Sequence, residues 1–420
     1  MNASLSNVTL ASVCTKVTDG THDSPKLQLS GIPFIKAKHV SQGKIDFNFC
    51  DYITYEDHLK VIARSKPEFG DTLFVNIGAS LGDAVFVPNA SEFSIKNVAL
   101  FKPNPSKIDP RYLYYVVLSP AFQSSIKNKR SGSAQPFVGL DTLRQQQISI
   151  HECLTTQRRI ASILSAYDDL IENNTRRIAI LEEMARRLYE EWFVHFRFPG
   201  HEDAAFIETE DGRVPEGWEY KPLGELYKTS SGGTPNRKNK AFYGGDIRWI
   251  KTKELLDGPI FESEEKITEL GLAKSSAKIF PRHSVVVAMY GATIGQLGVL
   301  MHEASTNQAC CALLPDEQGL GWEYAFLTLL NRRSELIDLR TGAAQQNISQ
   351  AIIKSFPVLK PSENSLTLFK KSVSPLLQQS FLLLKKNNNL QAQRDLLLPK
   401  LISGEIDVSK AEEVVGGEAA

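Results

Sequence analysis

The chain has 420 residues, which is enough for two or three domains with sizeable cores. It is 42% hydrophobic and 23% charged, and its 48 basic residues balance 48 acidic ones, which excludes a disordered tail and a collagen-like chain. No apolar run has the ~18–20 residues that span a bilayer, and the N-terminus lacks the pattern of a secretory signal. The five cysteines form no CxxC pair, which excludes a disulfide-stabilised miniprotein and predicts reduced thiols in a cytoplasmic protein.

The chain contains one internal repeat, at a spacing of about 210 to 215 residues. Residues 1–150 and 221–360 carry net charges of +4 and +3, whereas residues 201–220 carry −6. A polyanionic partner is compatible with this charge pattern but is not required by it. Three motifs recur in the same order in both halves: Gly31-Ile-Pro-Phe-Ile-Lys-Ala-Lys38 with Asp246-Ile-Arg-Trp-Ile-Lys-Thr-Lys253, Gly78-Ala-Ser-Leu-Gly82 with Gly291-Ala-Thr-Ile-Gly295, and Ser131-Gly-Ser-Ala-Gln135 with Thr341-Gly-Ala-Ala-Gln345.

In chain order, the first half begins with a globular block of mixed strands and helices over residues 1–154. A β-rich run at 72–77 leads into the first small-residue turn. A helix is predicted to begin at Pro110, after the N-cap Asp109, and to end before Pro120. The remaining predicted segments are a long helix at 155–198, an acidic linker at 199–217, a second block at 218–362 with a β-rich run at 284–289 and a helix at 322–339, a second long helix at 363–405 and a flexible tail at 406–420.

Both long helices carry a narrow apolar seam with heptad spacing, which is typical of a coiled coil. Each seam holds one asparagine, Asn174 or Asn387, and a seam asparagine fixes register at a cost in stability. We predict that the helices pair with each other, antiparallel; the alternative is that each packs on its own block with its asparagine in solvent. Pro375 is expected in a first turn or at a kink. The predicted helix-pairing residues are Leu164, Ile171, Asn174, Ile178, Leu181, Leu188, Leu376, Leu383, Asn387, Leu390 and Leu397.

The predicted fold class is therefore α+β, with two mixed blocks in a pseudo-two-fold arrangement, separated by two long antiparallel helices. Several common catalytic patterns are absent from the sequence: the phosphate loop, the GxGxxG turn, the HExxH helix, the EF-hand loop and the Asx/Ser-Pro-Pro-aromatic tetrapeptide of amino-methyltransferases. The eight histidines have no metal-ligand spacing. We predict neither a metal site nor catalysis by this chain alone.

Candidate DNA-binding residues are basic side chains in or near the repeated motifs. Lys36 and Lys38, like Lys251 and Lys253, lie two residues apart. In an extended segment both ammonium groups of a pair share one face and can straddle phosphates, although solvated surface lysines are an equal alternative. The loop from Gly232 to Lys240 either tracks a nucleic-acid backbone or is a mobile turn; its candidates are Thr234, Arg237, Lys238 and Lys240.

Small polar residues complete the candidate DNA-binding set. Ser80 and Thr293 lie in the Gly-Ala-Ser/Thr turns, which have the composition of a phosphate cradle, although a tight structural turn also explains them. Gln135, Gln345 and Gln346 can pair with adenine in a major groove or can cap a helix.

Together these motifs resemble the specificity subunit of type I restriction–modification enzymes. The resemblance lies in Gly-Gly-Thr-Pro followed by Trp-Ile-Lys-Thr-Lys and Gly-Ala-Thr-Ile-Gly, in the helix from Gln157-Arg-Arg-Ile to Trp192-Phe193, and in Arg394-Asp-Leu-Leu-Leu-Pro-Lys-Leu-Ile-Ser-Gly-Glu405. It covers essentially the whole chain. The first half departs from the pattern, since Asp19-Gly-Thr-His22 stands where the second half has Gly232-Gly-Thr-Pro235.

The resemblance implies two target-recognition domains, each of which reads one half of a bipartite site on double-stranded DNA. It further implies that two modification (methyltransferase) subunits dock on the helices and that restriction (motor-nuclease) subunits bind outside them. S-adenosylmethionine would then belong to the modification subunits and ATP with Mg²⁺ to the restriction subunits, leaving no cofactor in this chain. Two alternatives from other classes are a catalytic DNA enzyme with an unrecognised site and a structural coiled-coil pairing protein.

The long helices are also expected to set the distance between the two half-sites. Forty helical residues span about 60 Å, or roughly 18 base-pair steps. Inserting four residues near Thr175, about one turn, is expected to change the unread spacer of the site by about one base pair.

Overall fold

The computed structural model describes residues 4–41, 43–89, 92–131, 136–209, 212–315, 319–340 and 347–408. The chain forms two compact units. The first combines Met1–Glu172 with Asn388–Ala420, and the second is Asn173–Asn387. Each unit therefore contains one globular block and parts of both long helices.

The first unit is a mixed α+β block. Its described elements in chain order are β1 (Leu5–Thr9), α1 (Leu10–Val13), β2 (Cys14–Asp19), β3 (Ile32–Lys36), β4 (Val40–Ser41), β5 (Lys44–Ile45), β6 (Asp51–Ile53), α2 (Tyr55–Ser65), β7 (Thr72–Phe74), β8 (Ala84–Phe86), β9 (Ser94–Lys96), β10 (Ala99–Pro103), α3 (Pro110–Leu118), α4 (Pro120–Asn128), α5 (Leu140–Arg144), β11 (Gln147–His151) and the first part of α6 (Leu154–Phe193).

The second unit has a similar series of elements. In chain order they are β12 (Phe206–Thr209), β13 (Gly212–Pro215), β14 (Glu219–Pro222), α7 (Leu223–Leu226), β15 (Thr229–Ser231), β16 (Tyr243–Ile250), β17 (Gly258–Ile260), β18 (Glu265–Ile267), α8 (Glu269–Ala273), β19 (Val285–Ala288), β20 (Leu297–Leu300), β21 (Ser305–Thr306), β22 (Cys310–Leu313), α9 (Trp322–Asn331), α10 (Arg333–Asp338), α11 (Gln350–Ser355), β23 (Pro357–Lys360) and α12 (Glu363–Ile402), of which the last part belongs to the first unit.

The two units share their sheet topology. The strand order β2-β10-β7-β8 in the first unit corresponds to β15-β22-β19-β20 in the second, where β17 adds a fifth strand. The order β6-β3-β9 corresponds to β18-β16-β21, and in both sheets the central strand has one antiparallel and one parallel neighbour. The repeat in the sequence is thus a repeat of tertiary structure.

Local sequence signals explain several element boundaries. The Asp109 side chain accepts a hydrogen bond from the amide of Tyr112 (2.9 Å) and Pro110 occupies the first helical position, so α3 begins and ends as predicted. The helix predicted at 322–339 is instead two helices, because Arg332 leaves the helical conformation (ψ 22°) and donates to the carbonyl of Pro357 (2.6 Å).

The described residues of the acidic linker and of the tail form regular and packed structure. Within the linker, β12 and β13 pair as antiparallel strands. Val408, which falls in the predicted tail, is buried in the core of the first unit, whereas residues 409–420 lie outside the described part of the chain. Pro375 lies in the interior of α12. The expected position in the first turn, where a missing amide hydrogen costs least, is therefore wrong.

The cores of both units include side chains from the long helices. In the first unit, Ile160 and Leu164 of α6 pack in one cluster with Leu398 and Leu401 of α12. In the second, the rings of Tyr189, Phe193 and Phe369 form an aromatic cluster with Tyr324 of the globular block. Each long helix therefore packs both on the globular blocks and on the other long helix. The sequence left these two kinds of packing open as alternatives.

The predicted antiparallel pairing of the long helices is confirmed. In the first unit, the guanidinium of Arg394 donates to the carboxylate of Asp168 (2.5 Å), which also accepts from the hydroxyl of Tyr115 (2.6 Å). In the second unit, the Asn174 amide donates to the side-chain oxygen of Asn387 (2.9 Å). From the first contact to the second, the residue number rises from 168 to 174 on α6 and falls from 394 to 387 on α12, so the two helices run in opposite directions.

The asparagine pair makes a prediction about stability. Asn387 is buried, and it also donates to the Thr175 hydroxyl (3.3 Å). Asn174→Leu alone is expected to cost about 1–3 kcal/mol, because it removes the donor to a buried amide oxygen. Replacing both asparagines with leucine should raise the melting temperature above that of either single variant and to at least the wild-type value, since no amide is then buried in the seam.

Thermal denaturation followed by circular dichroism measures this effect. Asn389→Leu, at an exposed position of the same helix, is the matched control and is expected to shift stability by no more than about 0.5 kcal/mol. A double variant that melts below both single variants would contradict the role assigned to the pair.

Candidate nucleic-acid interface

The first lysine pair lies at the end of the central strand of a three-stranded sheet. Lys36 is the last residue of β3, and Lys38 lies in a short 3-10 helix, Ala37–His39. The extended segment expected for the pair is therefore wrong at Lys38. The turn nevertheless brings both ammonium groups towards one carboxylate, since Asp51 Oδ2 lies 2.7 Å from Lys36 Nζ and 3.8 Å from Lys38 Nζ.

The second lysine pair has the same local structure. Lys251 follows β16 directly, and Lys253 lies in a 3-10 helix, Thr252–Glu254, so here too the extended segment is wrong. The ammonium of Lys251 contacts Glu265 (2.7 Å) and Glu264 (3.1 Å), and that of Lys253 contacts Glu264 (2.6 Å). The two halves thus repeat a cluster of cations and carboxylates, and not only the cations.

The carboxylates of these clusters are functional candidates that the sequence reading missed. Asp51 faces Phe34 across the antiparallel pair β3–β6, and Glu265 faces Trp249 across β16–β18, so they occupy equivalent positions. A short repeat in the sequence marks them: Asp51-Tyr-Ile-Thr54 corresponds to Glu265-Lys-Ile-Thr268, and each threonine caps the following helix. This repeat is the signal in the sequence that could have identified both carboxylates.

The cation–carboxylate contacts alter proton affinities. The hydrogen bond from Lys36 is the main cause that lowers the pKa of Asp51. Hydrogen bonds from Arg237 and Lys251 lower the pKa of Glu265, and those from Lys253 and Lys251 lower the pKa of Glu264. The carboxylates are therefore ionised at neutral pH, and a phosphate that approaches the lysines must compete with them.

The loop that follows the Gly-Gly-Thr-Pro motif presents two kinds of cation. The guanidinium of Arg237 lies over the rings of Tyr243 and Trp249 (4.7 Å to each centroid) and forms an ion pair with Glu265. Lys238 and Lys240 are exposed and pair with no carboxylate of the described residues. Of these predicted cations, Lys238 and Lys240 are the ones most accessible to a phosphate backbone.

The small-residue turns are tight turns with internally bonded amides. In the first, the amides of Leu81 and Asp83 donate to the carbonyls of Gly78 (3.1 Å) and Ser80 (3.0 Å). In the second, Ile294 and Gln296 donate in the same way to Gly291 (3.2 Å) and Thr293 (2.9 Å). This favours the structural explanation of the glycines over a phosphate cradle, and contacts of Ser80 and Thr293 with DNA stay predictions.

A cavity of about 390 Å³ brings several candidates of the first unit together. Its lining includes Lys36, Lys38 and Ser80, with Lys96 and Asn97 from β9 and the residue after it. Lys96 is a further cation that the sequence reading did not select. The remaining candidates, Gln135, Gln345 and Gln346, lie outside the described residues.

The first unit also brings together a serine, a histidine and a glutamate, which are the residue types of some hydrolytic triads. His58 Nδ1 lies 2.9 Å from the hydroxyl of Ser94, and His58 Nε2 lies 3.5 Å from Glu92. Both Ser94 and His58 are completely buried, so a substrate has no access to the hydroxyl. We interpret the hydrogen bond between His58 and Ser94 as structural.

In the described part of the chain, no group of three or more His, Cys, Asp or Glu side chains is placed to hold a metal ion. Nor does any described helix combine the length and the apolar character of a membrane span.

Comparison with known proteins identifies the family. A sequence profile of the type I restriction modification DNA specificity domain matches residues 5–183 and 215–365. The chain belongs to this family. The two matched segments cover the two globular blocks and much of α6, so the duplication is a duplication of the specificity domain.

Relatives of known family have similar sequences and a similar fold. The MjaIX specificity subunit of Methanocaldococcus jannaschii is 28% identical over 301 residues, 71% of this chain and 69% of the relative. The HindI specificity subunit of Haemophilus influenzae is 26% identical over 439 residues, 89% of this chain and 94% of the relative. The crystal structure of a type I restriction–modification S subunit from M. genitalium shares the fold, with a TM-score of 0.65, 15% identity and 96% of each chain covered. The predicted family and fold class are confirmed.

The family's glycine motif makes a steric prediction. A Cβ on Gly232 would lie 2.1 Å from the Thr306 hydroxyl and 2.2 Å from its carbonyl oxygen, and a Cβ on Gly20 would lie 2.3 Å from the Ile95 carbonyl oxygen. Gly232→Ala and Gly20→Ala are each expected to lower the free energy of unfolding by about 1–3 kcal/mol, because backbone atoms have to move.

Denaturant unfolding measures this loss. Gly258→Ala is the control in the second unit, since its Cβ would meet nothing closer than the Leu256 carbonyl at 3.9 Å. Equal stability of the Gly232→Ala and Gly258→Ala variants would show that the motif glycine is not required by packing.

Proposed function

We propose that this chain is the DNA-specificity subunit of a type I restriction–modification complex and that each unit reads one half of a bipartite site. The observation that carries the proposal is the duplication of the specificity domain with its cation cluster. Lys36 with Lys38 and Lys251 with Lys253 sit at the same place on equivalent sheets. Two equivalent basic surfaces in one chain suit two stretches of one duplex.

The paired helices are proposed to set the distance between the half-sites. Helices α6 and α12 have 40 residues each, which corresponds to about 60 Å at 1.5 Å per residue. This length matches roughly 18 base-pair steps. The Asn174–Asn387 contact holds the helices in one register, and a fixed register is what a spacer of fixed length requires.

The modification subunits are proposed to dock on the exposed side of the helices. In the first unit Leu170 and Leu396, and in the second unit Ile180, are each more than half exposed, although they lie on helices whose other faces are buried in the seam. Exposed apolar side chains in such a position are typical of protein interfaces. Catalysis, S-adenosylmethionine, ATP and Mg²⁺ are assigned in this proposal to the modification and restriction subunits.

Methylome sequencing tests the proposal directly. The chain is expressed with its modification subunits in cells that lack other DNA methyltransferases, and methylated bases are mapped across the genome. The expected result is a single two-part motif with an unread spacer, which disappears when this chain is omitted. Methylation that is independent of this chain, or a motif without two parts, would contradict the proposed function.

The spacer hypothesis is tested by matched insertions. A heptad inserted after Thr175 and a second one after Lys386 keep the seam in register and lengthen the pair by about 10 Å. The unread spacer is expected to grow by about three base pairs, with both half-sites unchanged.

The control for this experiment is the same heptad inserted in α6 alone. It leaves Asn174 opposite Asn387 but shifts residues 176–193 of α6 by seven positions against α12. It is expected to reduce methylation at every site, because the apolar contacts of that part of the pair are then out of register. Matched insertions that leave the spacer unchanged would exclude the helices as its determinant.

A further inference from the structure

Two polar side-chain pairs, His22 with Asn97 and Thr234 with Gln308, occupy equivalent places in the two units. The backbone hydrogen bonds beside them establish the correspondence. In the first unit, the amides of Gly20 and Thr21 donate to the carbonyls of Val98 (2.9 Å) and Ile95 (3.1 Å). In the second, the amides of Gly232 and Gly233 donate to Cys310 (3.3 Å) and Thr306 (2.9 Å). Gly20 therefore corresponds to Gly232, one residue away from the match that the motif spelling suggests.

This register makes His22 the counterpart of Thr234. On the other strand, Ile95 pairs with Ile35 and Thr306 pairs with Ile250. Counted from these pairs, Asn97 and Gln308 each lie two residues further on, at the start of a segment that is one residue longer in the second unit. His22 Nδ1 lies 3.0 Å from Asn97 Oδ1, and the hydroxyl of Thr234 donates to Gln308 Oε1. The same contact is thus made in both units, by different side chains.

The pairs lie beside the cation clusters. Asn97 lines the 390 Å³ cavity together with Lys36, Lys38 and Ser80, and it also lines a neighbouring cavity of about 350 Å³ together with His22. In the second unit, Gly233, next to Thr234, accepts a hydrogen bond from the indole of Trp249 (2.9 Å), two residues before Lys251. His22 and Gln308 are exposed. A duplex whose phosphates meet the lysines would bring its bases close to these pairs.

We propose that His22 with Asn97, and Thr234 with Gln308, are specificity-determining residues that contact base edges in the first and second half-site. This inference rests on the proposed function. Asparagine and glutamine amides recognise the adenine edge in the major groove, and here the partner fixes each amide before DNA binds. A shared backbone frame with different side chains explains how two copies of one domain read different sequences.

The backbone supports a functional role for Asn97. It adopts a left-handed conformation (φ 52°) that few residues other than glycine tolerate, although asparagine is among them. Such conformations are common where a side chain is positioned for a ligand. Asn97→Asp keeps the size and the backbone preference of the residue, removes the amide donors and adds one negative charge, so its control must carry the same added charge.

The experiment uses the complex with its modification subunits and a plasmid library in which each position of both half-sites is randomised in turn. Methylated molecules are sequenced for the wild type, Asn97→Asp and Gln308→Glu. Asn97→Asp is expected to lower discrimination at one base pair of the first half-site by about tenfold or more and to leave the second half-site and the spacer unchanged. Gln308→Glu is expected to act in the same way on the second half-site only.

Two further variants make the test decisive. His22→Thr, at an exposed position, is expected to change base preference in the first half-site, and it keeps the inference testable if Asn97→Asp folds poorly. Asn7→Asp, an exposed control in β1 with the same added charge, is expected to leave base preference unaltered. Asn97→Asp and His22→Thr enzymes that both retain wild-type preference at every position would overturn the inference. A wild-type complex without a two-part site would instead overturn the proposed function.

Discussion

The structure depends on the antiparallel packing of two helices that are distant in sequence. The first part of α6 and the last part of α12 complete the core of the first unit, and the remaining parts complete the core of the second. Burial of Leu164, Phe193, Phe369 and Leu401 removes large apolar surfaces from water in both units, at about 25 cal/mol per Å². Neither globular block has a complete core without both helices.

Polar contacts along the helix pair determine its register more than its strength. Two polar contacts form only when the helices are aligned as they are here. They are the Asp168–Arg394 ion pair in the first unit and the Asn174–Asn387 hydrogen bond in the second. A one-turn slip would leave these groups partly buried and unpaired, which is costly. A purely apolar seam of leucines would tolerate such slips better.

The sequence contained enough information for the helices and too little for the site. Heptad spacing and the equivalent asparagines predict the antiparallel pair because both signals are local and periodic. The carboxylates that face the lysines are set by cross-strand register, which is not a local property, and only the weak match of Asp51-Tyr-Ile-Thr54 with Glu265-Lys-Ile-Thr268 points to them. The glycine motif shows the same limit: its spelling aligns Thr21 with Thr234, whereas the hydrogen bonds align Thr21 with Gly233.

The same long-range packing constrains how the chain folds. The imidazole of His151 lies 2.9 Å from the carbonyl oxygen of Leu401, a contact between residues 250 positions apart. Because synthesis proceeds from the N-terminus, the first block is complete in sequence long before the part of α12 that fills its core has been made. Ile160 and Leu164 therefore stay without their helical partners until the second block has emerged. Contacts of such long range fold slowly, so the paired helices that hold the native structure together are also expected to be its late step of assembly.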